Sequence, residues 1–346
     1  MIRGKAVAPY RVAIVGCGRI GCFFDDDRKR SRRIWTHAGA YAANARTRLV
    51  AVADLDPVAR ALAARRWKVP RTYANVREML SRERLDIVSV CTPSSSHIPV
   101  AQMALSMGVP GIWLEKPVAT QVREAEALLP LAGKAVVAVN HIRRWDRAYE
   151  IARDWIQRGQ LGDLVTAGAW YTNGVSNMGS HLFDTLRFLF GEPDWMWAAK
   201  PIDPHDPDPT LSGVVSFGRV LCHVQGAGRE MLLFDIEVTG TRGQLRISEN
   251  GRLVSFRPLV ESPHYTGYKV LGAPRFLWKG EDGKRMLKAV EDIVTCMENG
   301  GKPRCAFLDG LLAIEMVAAF QASSRIGRPI PFPLEKRWKN EVIAVR

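Results

Sequence analysis

Long hydrophobic runs are missing from this 346-residue sequence. The longest apolar stretches, such as those within Asp86–Cys91 and Ala135–Val139, are strand-sized, far short of the roughly 18 residues a membrane span needs. The N-terminus is basic but has no long apolar stretch and no small-residue cleavage site. The expectation is therefore a cytoplasmic protein with no signal peptide and no membrane contact. Cysteine is sparse and scattered: Cys17, Cys22, Cys91, Cys222, Cys296 and Cys305 form no CxxC pair and no Cys/His cluster of zinc spacing. That leaves free buried thiols in a reducing compartment and no structural metal. Internal repeats and low-complexity segments are lacking as well, which excludes solenoids and arrays.

Acidic residues are short in one half only. Residues 1–160 hold 27 Lys+Arg against 14 Asp+Glu, whereas residues 161–346 hold 22 against 21, and the net charge is +14. Such asymmetry suits a surface that steers anions, a dinucleotide or a phosphate-bearing substrate among them. The basic residues are mixed with acids and form no helical stripe with aromatics, so nucleic acid is not the expected partner.

A hydrophobic fraction of 47% and a charged fraction of 24% are ordinary globular values, and the length favours two domains. From Tyr10 to Asn140 short β-rich runs alternate with helical stretches. The strand candidates are Arg11–Val15, Leu49–Ala53, Asp86–Cys91, Gly111–Leu114 and Ala135–Val139, the signature of a doubly wound parallel sheet. Pro57–Trp67, Asn75–Ser81, Ile98–Met107 and Thr120–Leu131 read as the crossover helices, with Pro57 suited to a first turn. Phe23–Arg33 interrupts this order with three aspartates and a basic run and reads as an exposed loop. Beyond Gly159–Gly162 strand-like runs follow one another around a single helix at Ser180–Phe190, which predicts a large, mainly antiparallel open sheet. Pro201–Pro209, with four prolines, reads as a loop, and helices return at Lys284–Asn299 and Asp309–Arg325. The expected division is a dinucleotide-binding Rossmann domain over residues 1–145 and an α+β substrate and oligomerisation domain over residues 146–346, with the C-terminal segment able to pack back on the first.

The first strand runs into Gly16-Cys17-Gly18-Arg19-Ile20-Gly21, a GxGxxG turn. Gly16 permits the tight turn, Gly18 lets backbone amides approach a pyrophosphate, and Gly21 allows the next helix to pack closely. Amides at that helix N-terminus, including those of Arg19 and Ile20, supply the anion site. The second strand ends at Asp54, whose carboxylate suits the ribose hydroxyls of NAD and opposes a 2′-phosphate. The arginines of the inserted loop keep NADP as the other cofactor the pattern admits.

Taken in order, five segments make the chain similar to the Gfo/Idh/MocA family, the glucose-fructose oxidoreductase and inositol dehydrogenase group, over nearly its whole length. They are the glycine turn, Cys91-Thr92-Pro93 followed by His97, Glu115-Lys116-Pro117, Asn140-His141-Ile142-Arg143-Arg144-Trp145, and Gly179-Ser180-His181-Leu182-Phe183-Asp184. The resemblance implies an NAD(P)-dependent dehydrogenase or reductase that moves a hydride between nicotinamide and a carbinol or carbonyl carbon of a sugar, cyclitol or nucleotide-linked sugar. It also implies that Thr92, Pro93, His97, Glu115, Lys116 and Asn140 line the cofactor, and that Lys116, Arg144, Asn177 and His181 face the substrate. A homodimer or homotetramer formed through the second domain's sheet is the expected assembly.

Hydride transfer from a carbinol needs a group that carries the hydroxyl proton. The resemblance gives that role to Lys116, with His181 as a second proton-carrying group. Many dehydrogenases of the family have aspartate four residues before this histidine, where this chain has Asn177. An asparagine bonds a hydroxyl but does not take its proton. Two readings stay open for Asp184, orienting the His181 ring or favouring the helix dipole, and two for Asn140 and Arg144, ligand contact or turn cap and surface cation. Two other functions also fit the sequence: a redox-neutral hydrolase or isomerase that uses NAD transiently, and a non-catalytic sugar or dinucleotide sensor.

Overall fold

The computed structural model of the chain describes residues 8–27, 33–201 and 205–343. It divides into two packed units, one of residues 1–119, 124–142 and 283–310 and the other of residues 120–123, 143–282 and 311–346.

The first unit is built from β1 (Tyr10–Val15), α1 (His37–Ala43), β2 (Thr47–Ala53), α2 (Pro57–Trp67), β3 (Arg71–Tyr73), α3 (Val76–Arg82), β4 (Ile87–Val90), α4 (His97–Ser106), β5 (Gly111–Leu114), α5 (Val122–Ala132) and β6 (Val136–Val139). Its sheet has the order β3-β2-β1-β4-β5-β6 with every neighbour parallel. Strand order reverses between β1 and β4, and in such sheets ligands bind outside the strand ends at that point. Local chemistry sets the helix starts. Thr36, Asp56 and Asn75 each accept a backbone N–H of the first turn that follows, and Pro57 sits where its missing N–H costs nothing. The sheet has one strand more than the sequence suggested. β3 is three residues of Arg-Thr-Tyr, largely exposed at the edge, so no apolar run announces it.

The expected loop at Phe23–Arg33 is corrected in its first part. Residues 19–23 and 24–26 form two helical turns. Asp25 accepts the Trp35 N–H at 2.6 Å and the Thr36 hydroxyl, and Trp67 Nε1 donates to the Cys22 carbonyl at 2.9 Å. This acid is a brace at the start of α1, not a solvated loop residue. The basic residues 28–32 lie outside the described residues.

The second unit holds α6 (Arg147–Gln157), β7 (Leu164–Tyr171), α7 (Ser180–Phe190), β8 (Trp195–Ala198), β9 (Gly213–Phe217), β10 (Val220–Gly226), β11 (Phe234–Gly240), β12 (Gly243–Ser248), β13 (Leu253–Glu261), β14 (Lys269–Leu271) and β15 (Arg275–Lys279). After α8 (Arg285–Asn299), which packs in the first unit, come α9 (Phe307–Ile326), β16 (Ile330–Pro331) and α10 (Lys336–Lys339). The ten-stranded sheet runs β14-β13-β12-β11-β7-β10-β9-β8-β16, with β15 also on β13. It is antiparallel as expected except for the central pair β7 and β10, which is parallel. One face is core: Ala167, Ala169, Tyr171, Cys222 and Val224 are buried, and in the same unit Phe183 of α7 packs edge-on against Phe320 of α9, ring centres 5.2 Å apart. α9 has the length and apolar composition of a membrane span, yet 78% of that window is buried in the protein, as befits a core helix. All six cysteines are buried and none is in a disulfide, and burial pushes the Cys222 thiol up to about 12.

Candidate active site

At the switch point the glycine turn is packed as the sequence predicts. Gly16 has φ +96°, and a Cβ there would stand 2.5 Å from the Cys91 carbonyl oxygen. A Cβ on Gly21 would meet the Gly16 carbonyl oxygen at 2.3 Å, whereas nothing lies within 4 Å of the same point on Gly18. Only the middle glycine therefore opens onto free space, the cradle a pyrophosphate needs. Arg19 lies with its guanidinium 4.8 Å from the Phe24 ring centre, and Ile20 lies in the same short helical turn.

Asp54 follows β2 and ties the turn to it: one carboxylate oxygen accepts the Cys17 N–H at 2.6 Å and the other the Asp56 N–H at 2.9 Å. Each oxygen keeps a second lone pair for a ribose hydroxyl. Arg60 donates to the Asp54 and Leu55 carbonyls at 2.6 and 3.1 Å. Beyond β4, the Thr92 hydroxyl oxygen is buried and has no hydrogen-bond partner within the protein, as is the side-chain oxygen of Asn140 beyond β6. Two such atoms near the strand ends call for a polar ligand, so the residues present fit a dinucleotide.

His97 lies between two turns of this edge. It is buried, with Nδ1 2.8 Å from the Pro117 carbonyl oxygen and Nε2 2.7 Å from that of Thr92, and a neutral ring donates to one of the two. Burial pulls its pKa below the ordinary histidine value against the pull of those carbonyls. It thereby joins the Thr92-Pro93 turn to the Lys116-Pro117 turn.

Lys116 follows β5, one residue after a buried carboxylate. Glu115 accepts the Lys116 N–H at 3.2 Å, the Asn140 side-chain N–H at 2.5 Å and a contact from His37 Nε2 at 3.0 Å. Burial opposes its charge, but His37, Asn140 and the Lys116 cation hold its carboxyl below the usual carboxylate range. An ionised carboxylate only accepts, so His37 donates from Nε2. Its Nδ1 lies 2.9 Å from the Ser89 hydroxyl oxygen, and the Tyr41 hydroxyl lies 2.7 Å from the same oxygen. The His37 ring lies 3.8 Å from the Trp113 ring centre. The network fixes Glu115, Asn140 and the backbone of Lys116 together. Sequence reading found the motif residues and missed His37, Ser89 and Tyr41, because a lone histidine opening a helix gives no sign of which strand it faces.

Arg144, Asn177, His181 and Asp184 belong to the second unit. His181 is the second residue of α7, and Asn177 lies in the π-helical turn 174–179 that runs into it. Arg144 grips Asp184 with Nε at 3.0 and 3.1 Å from its two oxygens and Nη2 at 2.9 Å. The carboxylate is fully buried and the arginine nearly so. Asp184 thus has a partner that neither of its two readings named, and Arg144, buried in that pair, is no surface cation.

A family described as oxidoreductases with an NAD-binding Rossmann fold matches residues 10–141, and its C-terminal alpha/beta domain matches residues 136–332. An inositol 2-dehydrogenase of Rhizobium meliloti is 30% identical over 89% of this chain and 95% of its own. A D-apiose dehydrogenase of Paraburkholderia graminis is 26% identical over 94% and 90%. A levoglucosan dehydrogenase solved in complex with NADH superposes with a TM-score of 0.78 at 18% identity, over 94% of this chain and all of that one, which speaks for the fold.

Proposed function

The chain belongs to the Gfo/Idh/MocA family of NAD-binding oxidoreductases, and on that premise we propose that it oxidises a carbinol carbon of a sugar or cyclitol, with Lys116 carrying the proton of the reacting hydroxyl. The observation that supports this reading is the place of Lys116, just past β5 with its backbone fixed on the buried carboxylate of Glu115. Bound NAD supplies the hydride acceptor. Gly18 offers its phosphates open space, Asp54 its adenosine ribose a carboxylate, and Thr92 and Asn140 its polar edge two buried oxygens. His181 is the second proton-carrying group, Asn177 a neutral hydrogen-bonding group for a substrate hydroxyl, and Arg144 frames the substrate side. The test is net NADH formation across a panel of pentoses, hexoses and cyclitols.

Asp54 sets the cofactor preference. Calorimetric titration should show NAD binding tighter than NADP, with Asp54→Asn narrowing the gap. Equal or tighter NADP binding by the unaltered protein contradicts this role for Asp54.

The open face of the second sheet is the proposed subunit contact. It carries Leu221, 41% exposed, beside Thr166 in the β7–β10 register, and further along it Trp170 beside Gln225. Light scattering at micromolar concentration should give a dimer or tetramer, and Leu221→Asp should shift it toward monomer. A monomeric unaltered protein refutes the assignment.

A further inference from the structure

Asn177 and His181, which face the substrate in this reading, stand on one helical run, the turn at 174–179 followed by α7. A helical start leaves its first amides without intrahelical partners. Here all four consecutive amides of residues 174–177 are taken by three residues of a distant segment. The Gly174 N–H donates to the Thr210 hydroxyl at 2.9 Å and the Val175 N–H to the Pro209 carbonyl at 3.1 Å. The Ser176 and Asn177 N–H groups donate to the two oxygens of the Asp208 carboxylate at 2.9 and 3.3 Å. A single residue cap satisfies one or two such groups; here the three residues 208–210 satisfy all four.

The clamp is itself held from behind. Arg229 donates to the Asp208 carbonyl at 2.8 Å and pairs with the Asp206 carboxylate. The Tyr171 hydroxyl bonds both the N–H and the carbonyl of Leu211, each at 2.9 Å. Asp208 is 1% exposed. Gly174, at φ +84°, leaves no room for more: a Cβ there would stand 2.1 Å from an Asp208 carboxylate oxygen. Residues 208–210, at the end of a stretch that reads in the sequence as a loop, thus strap the turn bearing Asn177, one turn before His181.

We propose that Asp208 is a positioning residue for the reaction: with Pro209 and Thr210 it fixes where the 174–179 turn presents Asn177 and His181. The inference rests on the proposed roles of those two residues. The carboxylate supplies two acceptors at the positive end of the helical run, which a neutral isostere does not. Misplacing a reacting group by about 1 Å costs as much as 10²-fold in rate.

Asp208→Asn keeps the volume and turns one acceptor into a donor that opposes an N–H. It is expected to lower kcat about ten- to hundredfold, with NAD affinity, governed by the first unit, unchanged and with faster amide exchange at residues 174–177. Thr210→Ala should show a smaller loss of kcat, and Thr210→Ser, which restores the hydroxyl, should recover it. Full kcat in Asp208→Asn overturns the proposal. So does a fall in melting temperature with kcat intact in Thr210→Ala, which marks the strap as structural only. His181→Ala measured in parallel separates the two layers. If it retains full turnover, the role of His181 falls, while a loss in Asp208→Asn still supports positioning of Asn177.

Discussion

Lys116→Ala should lower kcat by about 10²–10⁴-fold, the usual worth of a group that moves a proton in the rate-limiting transition state, while NAD affinity stays nearly unchanged. The geometry separates the two effects. The parts that suit the cofactor are the glycine turn, Asp54, Thr92 and Asn140, and each keeps its partners when the lysine side chain is shortened. Lys116 gives Glu115 its backbone N–H, which alanine retains, and a cation, which alanine removes, while the His37 and Asn140 contacts to Glu115 stay in place. His181→Ala should also be slow, and the double variant should lose less than the two losses combined if both residues serve one proton path. Full turnover by Lys116→Ala on a true substrate removes the mechanism and leaves the fold.

The second large effect is on stability. Asp184→Ala strips the Arg144 guanidinium of a fully buried, doubly bonded carboxylate. Breaking such a pair from one side costs about 3–5 kcal/mol, because the remaining charge has lost the water it gave up on folding. The melting temperature should drop on the order of 10 °C, and Asp184→Asn, which keeps hydrogen-bond acceptance, should drop less. Unchanged melting of Asp184→Ala by calorimetry contradicts the reading of this pair as a buried brace and returns Asp184 to the orientation of His181.

What the sequence made legible follows from range. The Gly16–Gly21 turn, Asp54 at a strand end and Pro57 in a first turn are decided within a few residues, and the structure places each as read. The alternation of strands and helices up to Asn140 carries the parallel sheet, since both faces of such a sheet are covered and its strands are continuously apolar. β3 escapes because it lies exposed at the edge with nothing to bury. β14 and β15, short and largely exposed, escape for the same reason. The parallel pairing of β7 with β10 joins segments some fifty residues apart and leaves no local trace.

The site divides in the same way. Lys116, Asn140 and His181, the proposed site residues, stand in motifs, whereas the residues packed around such positions do not. Asp25 sits in an acidic cluster and Asp208 among prolines, compositions that read as solvated loops. Each is instead placed by its distant partners, Thr36 and Trp35 for one and the amides of residues 176 and 177 for the other. His97 carries a motif of the cofactor edge, and its ring lies against two backbone carbonyls of that edge. Chemistry-bearing residues announce themselves by type and spacing; the residues that hold them become visible only once the chain has folded.

The most direct measurement is NADH absorbance when the purified protein is mixed with NAD and the sugar and cyclitol panel, run beside Lys116→Ala. The account predicts net NADH from at least one member and little or none from the variant. Tight NAD binding with no net NADH from any member, or conversion of a substrate without net NADH, would contradict it.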